Sequence, residues 1–375
     1  MGLFNFFHKK SPKQETPALQ SKQAVQVNVT LSDPEIPSLP RLLSTAVPSG
    51  HGLYPHEILM LQYAPTYKTT GNTFQRFWLY EFGVKHPQKI LDSLLDRNFL
   101  CVGGIKETLQ NQTVASLKGA LSEIGAKTTG KKDGLIERIL ETWDRTALES
   151  KYPERYFALT ESGQQELREN EYVPYLHKKK YMSVWEMNKL LRNTGYSPSR
   201  YRDLLWGEFN RQSLDQMRNL NFGLYRNTRL NMYSFLMEEN QYKPAFTHLC
   251  EVLFIDLSGL GNGETALFSK DARSRCSNLE IKLRFCFPYE KSLARMLPGF
   301  KDDLLKLQDR LGLDNAGLKN ALSAEFEKCS LPYHIFTVAE CVEIVMGELD
   351  NRTEQVEKIY RTAEMRLKKE YQSLR

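Results

Sequence analysis

Two lysines next to a short polar turn are the residues whose position most clearly suggests chemistry. Lys131 and Lys132 directly follow Thr129 and Gly130, and apolar residues at helical spacing lie on both sides of this turn. Thr129 is a candidate N-cap, which would place both lysines in the first turn of the second helix. Cations are unfavourable at the positive end of a helix dipole, but an anion docked there reverses that effect. The sequence therefore predicts an anion-binding turn.

A second set of residues has the composition of a metal-dependent nuclease site. Glu280 and Lys282 form a Glu-x-Lys triplet in the alternating segment Leu279–Phe287, and Asp256 precedes them in the chain. Two carboxylates can hold a divalent metal while a lysine positions the attacking water. A nuclease of this type needs the aspartate on a strand, whereas the spacing around Asp256 predicts a helix. Solvated charges on an outer face account for the same residues, so we take the chain to be non-enzymatic and keep the nuclease as an alternative.

Two short amphipathic helices should position the basic turn. They lie within Gln112–Trp143, with Thr113 as a candidate cap of the first helix. The inward-facing positions predicted from the spacing are Leu117, Leu121 and Ile124 on the first helix and Leu135, Ile136 and Ile139 on the second.

This stretch resembles a SAP domain. The matching residues are Thr113-Val114, Leu117-Lys118, Leu121, Gly125, Thr129-Gly130-Lys131-Lys132, Leu135-Ile136 and Arg138-Ile139. The chain departs from the family at Ala126, where a larger apolar residue is more usual. The resemblance implies a helix–loop–helix unit that binds DNA, which we expect to be double-stranded. The implied DNA-binding residues are Lys118, Lys127, Thr129, Gly130, Lys131, Lys132 and Arg138.

The segments on either side of this stretch resemble the two halves of a winged helix-turn-helix domain. Apolar helices are predicted over Pro55–Tyr63 and Pro87–Arg97, with an aromatic helical segment, Phe74–Phe82, between them. A short strand follows at 98–102, and a second strand with a Thr160-capped helix begins at Tyr156. The SAP-like unit would then be inserted in the wing, a surface loop that tolerates insertions.

The winged-helix-like part has two interpretations. Its third helix would be the recognition helix, and its exposed face offers Lys89 and Arg97 but also two aspartates that repel phosphates. The alternative is a scaffold for protein contact or dimerisation. A Lys-Lys-Lys run at 178–180 either helps to hold DNA or is a solvated basic linker.

The composition and the absence of several motifs restrict the remaining possibilities. The net charge of +6 permits nucleic-acid binding without requiring it. The six cysteines lack Cys-x-x-Cys pairs and the seven histidines lack metal-ligand spacing, so we expect a reducing cytoplasmic location and no metal or cofactor. Neither a phosphate loop nor a nucleophile elbow is present. The sequence contains no membrane-spanning run, and the Met1–Lys10 segment is an irregular start, a packing anchor or a surface tether.

The C-terminal half is predicted to be mostly helical, with capping boxes at Ser183 and Thr337. Its last apolar stripe suggests either intramolecular packing or a short coiled coil. We therefore predict a mainly α chain: a flexible tail (1–50), a winged-helix-like domain (51–110 and 147–180), a SAP-like insertion (111–146) and a helical C-terminal domain (181–375). The leading hypothesis is a DNA-binding protein resembling bacterial SAP-domain proteins of the prophage type. The alternative is a scaffold that is localised to DNA and that binds a partner or itself through its C-terminal region.

Overall fold

The protein is mainly helical in a computed structural model, which describes residues 36–260, 277, 279–280, 283, 292–331 and 333–375. The helices before the first strand are α1 (Leu39–Thr45), α2 (Pro55–Tyr63), α3 (Phe77–Tyr80) and α4 (Pro87–Asp96). Four helices lie between the strands: α5 (Ile105–Gln110), α6 (Val114–Glu123), α7 (Lys132–Thr142) and α8 (Arg145–Lys151). Those that follow are α9 (Glu161–Glu169), α10 (Tyr172–Lys179), α11 (Val184–Thr194), α12 (Tyr201–Arg218), α13 (Phe222–Glu238) and α14 (Tyr242–Ser258). The last group comprises α15 (Leu293–Met296), α16 (Phe300–Arg310), α17 (Asn315–Lys328), α18 (Val338–Leu349) and α19 (Thr353–Leu374).

Two short strands form an antiparallel hairpin around the inserted helices. Strand β1 (Leu100–Val102) pairs with β2 (Phe157–Leu159), with Val102 opposite Phe157. The Gly103 amide also donates to the Tyr156 carbonyl at 2.8 Å. The two predicted strands therefore lie side by side, with Val102 close to Tyr156. Residues 104–155, which connect the strands, start and end at neighbouring points.

The segment between the strands has a core of its own. We call residues 105–151 the inserted unit. Its buried apolar residues come from all four of its helices: Ile105, Leu109, Leu117, Ala120, Leu121, Leu135, Ile136, Ile139 and Leu148. Every inward-facing position predicted from the spacing is either in this core or, for Ile124, partly buried against it. The unit is therefore a packed body and not an extended loop.

A first large core surrounds the hairpin. Residues such as Leu91, Phe157 and Leu205 belong to this core. The elements that contribute to it are α2, α4, β1, β2, α10, α11, α12 and one side of α13. Helix α9 packs closely on the hairpin because residue 163 is glycine: a Cβ there would lie 2.2 Å from the Phe99 carbonyl oxygen. The winged-helix identity of this region stays a prediction. The domain boundary at residue 180 also stays a prediction, because α11 and α12, which follow it, share this core.

A second large core is formed by the C-terminal helices. It extends from Tyr233 on α13 to Leu367 on α19. Val356, Tyr360, Ala363 and Leu367 are buried on one face of α19, so the stripe of the last helix packs within the chain, as favoured over a coiled coil. In the part of the chain that the structure describes, no helix is both long enough and apolar enough to cross a membrane.

Outside the inserted unit, three predictions of local structure are wrong. Part of the predicted flexible tail is ordered, because residues 39–45 are helical and the Val47 amide donates to Asn188 Oδ1 at 2.8 Å. The lysine run lies at the end of α10 and not in a linker. Leu279 and Glu280 are helical, so no strand begins there, and Lys282 lies outside the described residues.

One buried and one largely buried histidine make the stability of the fold sensitive to acid. Burial lowers the pKa of His56 to about 4, and burial together with Arg229 lowers the pKa of His248 to about 4. Between these values and the unfolded value of about 6.5, only the unfolded chain binds the protons, so stability is lost as pH falls through that window. The expected loss is about 2 kcal/mol per histidine at pH 5.

Replacing His56 by phenylalanine tests this acid sensitivity. The imidazole stacks on Trp185 with ring centroids 5.9 Å apart, and its Nδ1 has no hydrogen-bond partner among the described residues. A phenyl ring keeps the stacking and removes the titration. Urea unfolding at pH 7 and pH 5 should show a smaller fall in stability for His56→Phe than for the wild type, and an equal fall would contradict the assignment.

Candidate nucleic-acid interface

The N-terminus of α7 is the open end of the inserted unit. The helix begins at Lys132, and its N-cap is Lys131, with φ −73° and ψ 162°. The predicted cap, Thr129, is therefore wrong by two residues. Gly130 has φ +134°, a backbone conformation that residues with a side chain rarely adopt. The chain turns at this glycine, and the N-cap Lys131 follows it.

A lysine cannot cap a helix in the usual way. N-cap side chains accept hydrogen bonds from the first amides, and an ammonium group has no acceptor. Helix α6 is capped by Thr113, which accepts from the Ser116 amide, and α8 is capped by Asp144, which accepts from the Ala147 amide. Helix α7 has no side-chain cap. Its first amides are therefore available to an external acceptor such as a phosphate oxygen.

The two lysines at this end differ in their surroundings. Lys131 is exposed and has no carboxylate partner among the described residues. The Lys132 Nζ atom donates to the carbonyl oxygen of Gln110, at the end of α5, and its side chain is half-buried. Lys131 is thus free to bind an anion, whereas Lys132 also links α7 to α5.

Arg138 supports the turn from within the unit. Its Nη1 atom donates to the carbonyl oxygens of Lys127 at 2.6 Å and Thr129 at 3.2 Å. These bonds fix the backbone that leads into α7. Arg138, which the resemblance places among the DNA-binding residues, thus also holds the turn in place.

Several other lysines of the inserted unit are exposed and form no ion pair among the described residues. Lys118 and Lys127 are exposed and have no carboxylate partner among the described residues. By contrast, Arg145 pairs with Glu149 and Lys151 with Glu123. Helix α5, which was not predicted from the sequence, adds one more exposed cation, Lys106. The spacing of Ile105, Thr108 and Leu109 is the signal that could have revealed this helix.

The inserted unit is held against neighbouring parts of the chain by hydrogen bonds near the hairpin. Thr108 Oγ1 donates to the Glu154 carbonyl and Asn111 Nδ2 to the Pro65 carbonyl, each at 2.8 Å. The Lys68 ammonium also pairs with the Glu154 carboxylate. These bonds set the direction in which the basic turn points.

The other candidate DNA contacts are partly neutralised. Arg97, the C-cap of α4, pairs with Glu57 at 2.6 Å and also donates to the Gly52 carbonyl. On α10, Lys179 pairs with Glu238, and the Lys180 ammonium, at the C-cap, pairs with Glu81. This arrangement favours a structural role for α4 and for the lysine run.

The residues of the nuclease alternative are engaged in packing where the structure describes them. Asp256 lies on α14, as the spacing predicted, and its two carboxylate oxygens accept from Arg226 at 2.9 and 2.7 Å. The Tyr371 hydroxyl donates to Glu280 at 3.4 Å.

Comparison with known proteins supports the resemblance. A SAP domain is found at residues 108–144, a range that begins on α5 and ends just after α7. The chain matches none of the curated proteins and none of the solved structures with which it was compared. The SAP domain covers about a tenth of the chain, and it suggests nucleic-acid binding in general terms.

Proposed function

We propose that the protein is a non-enzymatic, cytoplasmic DNA-binding protein that contacts the phosphate backbone of duplex DNA through the inserted unit. The observation that carries this proposal is the uncapped N-terminus of α7, where open amides lie beside Lys131 and Lys132. Backbone amides at a helix N-terminus bind anions, and an exposed ammonium group beside them adds positive charge. Lys118 and Lys127 would add contacts to neighbouring phosphates.

The mechanism is electrostatic and does not depend on base sequence. Each cation that neutralises a phosphate releases a counterion, so affinity falls with salt by about 0.9 log units per log unit for each contact. Contacts from Lys118, Lys127, Lys131 and Lys132 predict a slope of about −3 to −4 for duplex DNA. Phosphate contacts fix register and orientation, and the rigid base of the unit suits that role.

Salt-dependent binding of a labelled duplex to the full chain tests the proposal. Fluorescence anisotropy over a range of salt concentrations should give a linear log–log plot with the slope stated above. A chain that does not bind duplex at low salt would contradict the proposal, and so would a slope near zero.

A second candidate function, protein contact through the C-terminal region, is favoured by an apolar corner between α12 and α13. Leu214, Leu220 and Leu224 are 58%, 38% and 52% exposed. Leu220 has φ +55°, a conformation that usually belongs to glycine or asparagine. Light scattering of the full chain over a range of concentrations tests self-association, and a mass that stays monomeric counts against it.

A further inference from the structure

Three side chains with metal-binding atoms converge between α9 and the loop before α2. A nitrogen of His51 and one carboxylate oxygen each of Glu166 and Glu169 all lie within 4.8 Å of one another. A metal bound at about 2.0–2.2 Å from each ligand needs ligand atoms no more than about 4.4 Å apart. Small rotations of the exposed His51 and Glu169 side chains are enough to meet that limit.

The loop that carries His51 is rigidly formed. The Ser49 amide donates to the Leu53 carbonyl at 2.8 Å, and the Gly52 amide donates back to the Ser49 carbonyl at 2.9 Å. Gly52 has φ +81°, and its carbonyl accepts from Arg97 Nη2 at 3.0 Å. The imidazole is therefore presented to α9 by a fixed turn.

Glu166 is a buried carboxylate, and a nearby positive charge would stabilise it. Its side chain is fully buried, and its hydrogen-bond donors are His51 Nδ1 and Asn170 Nδ2, the latter at 3.4 Å. Burying a carboxylate is costly unless it is paired or coordinates a metal. Among the described residues, no lysine or arginine forms an ion pair with Glu166 or Glu169. Glu169, by contrast, is exposed and accepts a hydrogen bond from Gln165 Nε2 at 2.7 Å.

We propose that His51, Glu166 and Glu169 bind a divalent transition-metal ion, with Zn²⁺ the preferred occupant. One imidazole and two carboxylates supply the nitrogen and oxygen donors that zinc accepts, and their charge balances a divalent cation. His51 and Glu169 lie on the solvent side, so water completes the coordination. The ion would tie the loop before α2 to α9.

The sequence predicted no metal site because its histidines lack ligand spacing on one helix face. His51 and Glu166 are 115 positions apart in the chain, so only the fold brings them together. The Glu166 and Glu169 pair, three residues apart on α9, is by itself a common feature of solvated helices.

Metal titration of the full chain tests the site. After treatment with a chelator, Zn²⁺ is added in a calorimeter, and Co²⁺ binding is followed by absorption. The double variant His51→Ala/Glu169→Gln should bind one equivalent fewer than the wild type. The matched control His86→Ala/Glu161→Gln alters an exposed histidine and an exposed glutamate of the same helix, and it should bind as the wild type does.

Two more readouts distinguish this site from metal binding at cysteines or elsewhere on the surface. The lost Co²⁺ equivalent should show no thiolate charge-transfer band, which excludes cysteine ligands. Glu169→Gln alone, an exposed change that leaves the buried pair intact, should weaken binding at least tenfold. Equal metal stoichiometry in the wild type and the double variant would overturn the proposal, and the His51–Glu166 pair would then be an ion pair only.

Discussion

Replacing Lys131 and Lys132 by alanine is expected to weaken binding to duplex DNA by about 10- to 100-fold at low salt. The same change should make the log–log salt slope shallower by about two units, because two phosphate contacts are lost. Neither side chain belongs to the core of the inserted unit, so its fold should persist. Anisotropy with one labelled duplex at several salt concentrations measures both quantities.

A matched control removes the same charge from the same unit. Arg145 and Lys151 are already paired with Glu149 and Glu123, so Arg145→Gln/Lys151→Gln should change the affinity much less and leave the slope nearly intact. If both double variants weaken binding equally, overall charge and not the basic turn determines the affinity. If neither does, the proposed contact surface is wrong.

Asp256→Ala is expected to destabilise the protein by about 3–5 kcal/mol, because it leaves the buried Arg226 guanidinium without its partner. The side chains of Arg226 and Asp256 are only 13% and 9% exposed. Burial raises the pKa of the Asp256 carboxyl, and Arg226 offsets that rise only in part. The pair therefore affects stability chiefly because removal of one partner leaves a buried charge unpaired. Chemical unfolding of the full chain measures the loss.

A compensating variant and a cleavage assay distinguish the possible roles of Asp256. Removing both charges in Asp256→Ala/Arg226→Met should restore much of the stability, since the unpaired guanidinium is gone. A nuclease residue would behave differently. Asp256→Ala would then abolish metal-dependent plasmid cleavage while costing little stability, and that result would favour the nuclease alternative.

Local signals in the sequence predicted many helix ends correctly. Thr113 and Thr160 were expected to cap α6 and α9, and each accepts a hydrogen bond from an amide of the first turn. The capping boxes at Ser183 and Thr337 are both present. Capping depends on residues three or four apart, so it can be read without knowing the fold. The inward-facing residues of α6 and α7 were predictable for the same reason.

Features that depend on distant contacts were not predictable. Thr129 has the right chemistry for a cap, but Arg138 holds the preceding carbonyls and the helix begins later. The lysine run at 178–180 has the composition of a linker, yet Val173 and Leu176 bury one side of its helix in the first core. Burial against residues far along the chain outweighed local composition in that segment.

The role of single cations in the candidate site also required the fold. From the sequence, Lys131, Lys132 and Arg138 are all predicted to take part in DNA binding. Among the described residues, Lys131 has no carboxylate partner, Lys132 also links α7 to α5, and Arg138 holds the turn in place. These differences arise from carbonyl groups that the fold brings within reach, which no spacing rule reveals.

Removing the inserted unit tests its role in DNA binding most directly. Because the Gly103 amide already donates to the Tyr156 carbonyl, residues 104–155 can be replaced by a two-residue Asn-Gly turn that closes the hairpin. No core residue of the inserted unit belongs to either large core, so the rest of the chain should fold. We predict a folded protein whose affinity for duplex DNA falls at least 100-fold. A folded variant that keeps the affinity and salt slope of the wild type would contradict the proposed role of the inserted unit.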